Sequence, residues 1–337
     1  MKYNLFIILI SVCVLLLPKD LQANAYVKLT IDGNDAWVPI KGTVSDGDIF
    51  TLSRECIDRN LYGEIDLNYI RENNDGTGAS YKIKNISNKA FWYCGINSVI
   101  IPDDIEYIGN QAFVYCTSLK APKIPYSCRT IGYDAFLACN SIDSLIIPEG
   151  VIDIGEEAFK NCKKLCYLEL PSTIKRLRTS IIKGCNKLTS IELKPGLEII
   201  DGNALEGYLT SLILPETVKE IGAYLFGLNP YIKSLTFKGV PEKIDDSAFT
   251  WVGKASNPCK LSYPKEWSLA KWIVPSIAWY GGYFDLVEED ETGISATTEE
   301  LTEQKQFFTL DGKRISNPQK GVNIVRMPNG RTKKMIK

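Results

Sequence analysis

The sequence predicts an α/β solenoid of coils of roughly 23 residues, in which short strands form a parallel ladder and short helical turns follow them. Caps at both ends and a small C-terminal β module complete the expected fold. Three observations predict it. From Ile86 to Phe249 the chain repeats the pattern I-x-x-I-G-x-x-A-F-x-x-C-x-x-L-x-x-L-x-I-P. Apolar residues alternate just before the closing proline of each copy, and cysteines recur at one slot of successive copies. The nearly intact copies run from Ile105 to Pro125, Cys128 to Pro148, Val151 to Pro171 and Ile174 to Leu193; degenerate copies end near Ile101, Leu214 and Phe237.

Taken from the start, Lys2 precedes an apolar run from Leu5 to Leu17 and then Ala23-Asn24-Ala25. These are the charged, apolar and A-x-A regions of an export leader, so residues 1–25 are expected to be removed and Tyr26 to begin the mature chain. Val12 stands where lipid attachment at Cys13 needs a small residue, and Cys13 lies inside the apolar run, which argues against a lipid anchor. The run is too short for a good membrane span, and no later stretch is long enough, so no transmembrane segment is expected after leader removal. Residues 26–82 are read as an N-terminal cap and 83–257 as the repeats.

Within a repeat, Leu145-Ile146-Ile147-Pro148 alternates with period two and ends in proline, the mark of a short strand closed by a turn. Val99, Leu168, Ile191, Leu212 and Leu235 fill the slot of Leu145 in other copies. Stacked coils set these strands about 4.8 Å apart in a parallel ladder, with Leu145 and Ile147 inward and Ile146 outward. A second extended piece follows at Val151-Ile152-Asp153-Ile154. The next position holds Gly109, Gly132, Gly155 and Gly222, which suits a positive φ, although Arg178, Asp201 and Asp245 stand there in weaker copies. Glu156-Glu157-Ala158-Phe159 then reads as a helical turn, acids first and an Ala-Phe pair inward.

Cys94, Cys116, Cys139, Cys162 and Cys185 share one slot, which Asn229 takes in a later coil. In-register neighbours have parallel side-chain vectors that oppose disulfide geometry, so a column of buried thiols is expected. Cys128 sits where Val151 and Ile174 stand and is also expected in the core. Cys56, Cys166 and Cys259 lack a clear inward slot. Cys162 and Cys166 have no histidine or second cysteine pair nearby to complete a zinc site.

These repeats, with Ile131-Gly132, Ala135-Phe136, Cys139 and Ile147-Pro148 aligned on their equivalents, resemble the BspA-like leucine-rich repeats of bacterial surface proteins. Leu61-Tyr62-Gly63-Glu64-Ile65-Asp66-Leu67 resembles that family's N-terminal capping strand, and Cys259-Lys260-Leu261-Ser262-Tyr263-Pro264 its last strand. On this reading residues 258–287, with Trp267, Trp272, Trp279 and Tyr280, form the C-terminal cap. Residues 288–306 are acidic and poor in aromatics and read as a linker. The tail, 307–337, resumes strand-like alternation around turns at Asp311-Gly312 and Asn329-Gly330, which predicts a small antiparallel unit. Its Phe308-Thr309-Leu310-Asp311-Gly312-Lys313-Arg314 and Lys320-Gly321-Val322-Asn323-Ile324-Val325 resemble a type IX secretion sorting domain, although members of that class often carry Tyr where Asn323 stands.

The chain has 337 residues and no histidine, which removes Ser-His-Asp, Cys-His and His-ligated zinc chemistry. Glu169 and Glu192 are expected side by side on adjacent strands, but unrelated residue types flank them, which favours a solvated surface over a glycosidase pair. No phosphate-binding loop or dinucleotide fingerprint occurs. Neither an enzyme activity nor a cofactor is expected. A net charge of -1 without a basic stripe argues against nucleic acid.

What remains is surface. The outward column of Ile100, Lys123, Ile146, Glu169, Glu192, Ile213 and Thr236 is the candidate protein-binding face. The resemblance implies an adhesin-like protein at a bacterial surface or outside the cell, with a host or bacterial surface protein as partner. A different class, glycan capture, would use Trp267, Trp272, Trp279, Tyr280 and Tyr283, rings that a closing cap also needs. A structural component of a surface assembly is the third reading.

Overall fold

A computed structural model describes residues 25–40, 42–45, 49–52, 61–73, 75–226, 229–253, 258–264, 284–289, 306–308, 314–315, 322–326 and 332–336. Residues 1–24 of the expected leader, Cys56 and Trp267, Trp272 and Trp279 lie outside the described residues. The chain forms two compact units, Met1–Leu165 and Cys166–Lys337.

The first unit opens on a hairpin. Ala25–Ile31 pairs antiparallel with Asn34–Ile40 across Asp32-Gly33, both at positive φ (49 and 81), the geometry that Asp-Gly supplies in a two-residue turn. Ala25–Ile31 also pairs antiparallel with Glu64–Arg71. The other edge of Glu64–Arg71 runs parallel to Ser98–Ile100, with Ile65 beside Val99 and Asp66 beside Ile100. One strand thus converts antiparallel pairing into the parallel ladder. Ile65, Leu67 and Ile70 are buried beneath it.

Beyond that point the coils repeat. The second extended piece forms a four-strand parallel ladder of Asn85–Ile86, Tyr107–Ile108, Thr130–Ile131 and Asp153–Ile154. Phe91, Phe113, Phe136 and Phe159 stack through the core with centroids 4.9, 5.2 and 6.0 Å apart. Leu145 and Ile147 are buried and Ile146 is exposed, as the alternation predicts. The stretch before Pro125 forms no strand. Pro122 stands there in the inward slot and has no N–H to give to a ladder.

The expected helical turns are absent: no helix occurs among the described residues. The N–H groups of Gln111, Phe113 and Tyr115 donate to the carbonyls of Tyr133, Ala135 and Leu137 in the next coil, each at 2.8 Å. Those of Ala112, Val114 and Cys116 return three residues to Gly109, Gln111 and Phe113. An α-helix requires donors to return four residues within one segment. Gln111 and Tyr115 also sit at φ 58 and 59, left-handed values that a right-handed helix excludes. Each turn is therefore a rung of an inter-coil ladder.

The repeat glycines also differ from expectation. Gly109, Gly132, Gly155 and Gly222 are not among the glycines at positive φ. Their reason is close approach: a Cβ on Gly155 would lie 2.3 Å from the Tyr133 nitrogen and 2.5 Å from the Gly132 carbonyl carbon. Left-handed φ falls two and six residues further on, at Gln111 and Tyr115, Asp134 and Ala138, and Glu157 and Asn161.

The second unit carries two parallel ladders. One runs through Arg176–Leu177, Ile199–Ile200, Glu220–Ile221 and Lys243–Ile244. The other runs through Ser211–Leu214, Ser234–Phe237, Cys259–Pro264 and Phe284–Glu289. Cys259–Pro264 is therefore not the last parallel strand, because Phe284–Glu289 pairs along its whole length from Cys259↔Phe284 to Pro264↔Glu289. This strand takes the last four residues assigned to the C-terminal cap and the first two assigned to the linker. Phe284 is buried, edge-on to Phe249 at 5.7 Å. The tail strands Gln306–Phe308, Arg314–Ile315, Val322–Arg326 and Thr332–Ile336 pair antiparallel. Thr332–Ile336 pairs onward with Phe284–Glu289 through Asp285↔Lys333 and Leu286↔Thr332.

Candidate ligand-binding face

The outward column lies partly in each unit. In the first, Ile146 is 59% exposed at the end of Ser144–Ile146, where alternation turns every second side chain to solvent. Ile100 is exposed beside Asp66 of the neighbouring strand. Lys123 is exposed too, but on the non-strand stretch that follows Pro122.

In the second unit Glu169 and Glu192 sit opposite one another in a parallel bridge, as expected of adjacent strands. Their charges are not left to repel. Lys194 Nζ lies 2.9 Å from Glu169 Oε1, and the Tyr167 hydroxyl donates to Glu169 Oε2 at 3.0 Å. That donation raises the Tyr167 pKa, since ionising the phenol would lose the bond and set two negative charges together. Ile213, 56% exposed, is in register with the half-buried Thr236, and the next residue in line, Ser262, is buried. In this unit the outward positions thus offer the exposed Ile213 and a neutralised carboxylate. Tyr167 and Lys194, which complete the Glu169 cluster, were not singled out by sequence; the signal was their spacing of two residues from Glu169 and Glu192, which puts each on the outward side.

The cysteine slot holds the buried column that the spacing predicts. Cys94, Cys116, Cys139 and Cys162 of the first unit and Cys185 of the second are buried, and none is in a disulfide. The thiols of Cys116, Cys139 and Cys162 donate to the carbonyls of Phe91, Phe113 and Phe136 one coil back, at 2.9, 3.0 and 3.2 Å. Where Asn229 takes the slot, its Nδ2 donates to the Leu205 carbonyl and its Oδ1 accepts from the Leu209 N–H. Burial pushes the Cys128 thiol up to about 11. Cys259 departs from expectation: it is fully buried at the head of Cys259–Pro264, and burial pushes its thiol up to about 12. Cys166 is exposed. Among the described residues no group of three or more His, Cys, Asp or Glu side chains is placed to hold a metal ion. The aromatics proposed for glycan capture, Trp267, Trp272, Trp279, Tyr280 and Tyr283, lie outside the described residues.

No curated protein matches the chain in sequence. Among solved structures, a leucine-rich repeat protein from Bacteroides ovatus ATCC 8483 is 23% identical, over 79% of this chain and 68% of that one, with a TM-score of 0.50. A leucine rich cell surface protein from Faecalibacterium prausnitzii A2-165 is 20% identical, over 70% of each chain, with a TM-score of 0.52. At these identities the likeness is one of fold. The family model for the BspA type leucine rich repeat region matches in 6 copies, over residues 84–208 and 129–256. That match spans half of the chain and covers the coils whose phenylalanines, glycines and thiols stack in register, so the chain belongs to the BspA-type leucine-rich repeat family.

Proposed function

We propose that this chain is an exported protein of a bacterial surface or its surroundings that binds another protein through the outward positions of its strands. One observation carries the reading: Ile146 and Ile213, both more than half exposed, present β-branched apolar side chains where the fold does not need them. Apolar residues in repeated outward positions suit a protein-binding surface better than a solvated one. The leader-like start at residues 1–25 supports export, and the cell-surface description of the Faecalibacterium relative supports the location. The tail's likeness to a type IX sorting module supplies a route, with residues 307–337 read by the secretion apparatus.

The test uses residues 26–337 as bait against extracellular-matrix proteins and against surface proteins of other bacteria. Capture is expected from the parent chain and lost from a variant carrying Ile146→Ser, Glu169→Gln and Ile213→Ser together. If that variant captures every partner that the parent does, the outward strand positions are not the site. Sequencing the N-terminus of secreted material checks the leader, with Tyr26 expected first.

A further inference from the structure

In each unit one strand converts parallel pairing into antiparallel pairing. In the first, Glu64–Arg71 is parallel to Ser98–Ile100 on one side and antiparallel to Ala25–Ile31 on the other. In the second, Phe284–Glu289 is parallel to Cys259–Pro264 on one side and antiparallel to Thr332–Ile336 on the other. Past each converting strand the sheet runs out on a strand poor at pairing. Asn34–Ile40 carries Pro39, which has no N–H to give, and Arg314–Ile315 is two residues long. Edge prolines and very short edge strands keep a sheet from pairing with another chain.

Without the tail the second unit would end on a strand of the opposite kind. Phe284–Glu289 has six residues, all matched to Cys259–Pro264. Leu286 takes the next place in the register of the buried Leu212, Leu235 and Leu261, and Phe284 is buried edge-on to Phe249 at 5.7 Å. A strand fixed in this way offers a row of backbone donors and acceptors to any further strand. The tail's hold on it is narrow: two matched pairs, against six on the strand's inner side and five between Val322–Arg326 and Thr332–Ile336. The tail therefore parts from the ladder more readily than either sheet comes apart.

We infer that the tail is a guard strand: docked, Thr332–Ile336 keeps the chain single, and undocked it frees Phe284–Glu289 to pair with the same strand of a second copy. The second copy is the partner because the strand suits itself. Two copies run antiparallel about a twofold axis at Leu286 set Asp285 against Val287 and Phe284 against Glu288, so no acid opposes an acid. The guard role needs no reading of residues 307–337 by a secretion apparatus and stands or falls apart from it.

The test is sedimentation velocity of residues 26–337 over a concentration series. The parent chain is expected to stay at monomer mass. Lys333→Pro falls at a position matched to both Asp285 and Val325, where it removes a donor and blocks the strand. That variant is expected to yield its tail faster to trypsin and to reach about twice the monomer mass or more. Adding Val287→Glu, which would face Asp285 of the second copy, is expected to restore the monomer. Should Lys333→Pro fail to fold, Asp285→Cys with Lys333→Cys in a Cys166→Ser background reads the same contact. These matched positions lie within disulfide reach, and on warming the oxidised chain is expected to associate less than the reduced one. A parent chain that is already paired overturns the proposal. So do a Lys333→Pro chain that stays monomeric, association that Val287→Glu leaves unchanged, and equal association of the oxidised and reduced chains.

Discussion

The thiol of Cys139 donates to the carbonyl oxygen of Phe113, 3.0 Å away in the preceding coil. Cys116 and Cys162 repeat that bond to Phe91 and Phe136, so each thiol adds a second donor to a carbonyl that already accepts a backbone N–H from its own turn. The column is a hydrogen-bonding seam made of small, buried side chains.

This seam makes the thiols unreactive in the folded chain. Of the cysteines with described positions only Cys166 is exposed, so it alone should react with a thiol reagent under native conditions, and the others only after denaturant is added. A colorimetric thiol count with and without denaturant checks this, and rapid native labelling of the seam would contradict it.

Alkali should weaken the fold. The Cys128 thiol ionises near 9.0 when unfolded and at about 11 when folded, so burial favours its neutral form. A raised folded pKa contributes stability that is complete below 9.0 and lost as pH rises toward 11. Melting temperature measured between those limits should fall, and in a Cys128→Val variant it should fall less.

Asn229 and Cys139 occupy one slot but differ in what truncation leaves behind. Asn229→Ala strands the Leu205 carbonyl and the Leu209 N–H together in the core, costing roughly 2–3 kcal/mol or more. Cys139→Ala leaves the Phe113 carbonyl its bond from the Cys116 N–H and should cost about half as much or less. Urea unfolding of the two variants reads the order, and equal losses would mean that packing, not hydrogen bonding, sets the slot.

Two glycines separate close approach from backbone freedom. Gly155→Ala drives a Cβ into the backbone of the previous coil and should cost about 3 kcal/mol or more. Gly33→Ala meets no atom within 4 Å but keeps φ at 81, which should cost roughly 1 kcal/mol. Thermal melts of both variants test the pair.

The outward isoleucines should be dispensable to stability. Ile146→Ser is expected to shift stability by less than about 0.5 kcal/mol, against about 2–5 kcal/mol for Leu145→Ala one residue earlier. Chemical denaturation distinguishes them, and a large loss at Ile146 would place it in the core.

The alternation at Leu145, Ile146 and Ile147 was legible because burial obeys side-chain direction, which strands set with period two. The shared slot of the cysteines was legible for the same reason, since stacked coils bring equal positions together. The Ala-Phe turns misled because a helix and a stacked turn both bury residues three or four apart; only the destination of the N–H groups differs, and that destination lies in another coil. Gly132 and Gly155 were recognised as required, but the requirement is an inter-coil distance, invisible in one copy. Phe284–Glu289 follows Cys259–Pro264 after a stretch in which the repeat pattern has decayed, and its own alternation of Phe284 and Leu286 was the remaining signal.

Because the turns of each coil donate their N–H groups to the matching carbonyls of the next, the smallest heritable change that keeps every bond is a whole coil. Duplicating or deleting the stretch from Gly132 to Ile154 leaves each donor facing an equivalent acceptor, whereas inserting one residue between Gly132 and Cys139 misaligns the rungs on both sides. Array length is thus open to change by whole coils that share one register, and a lineage can lengthen or shorten its stacked surface without solving the folding problem again.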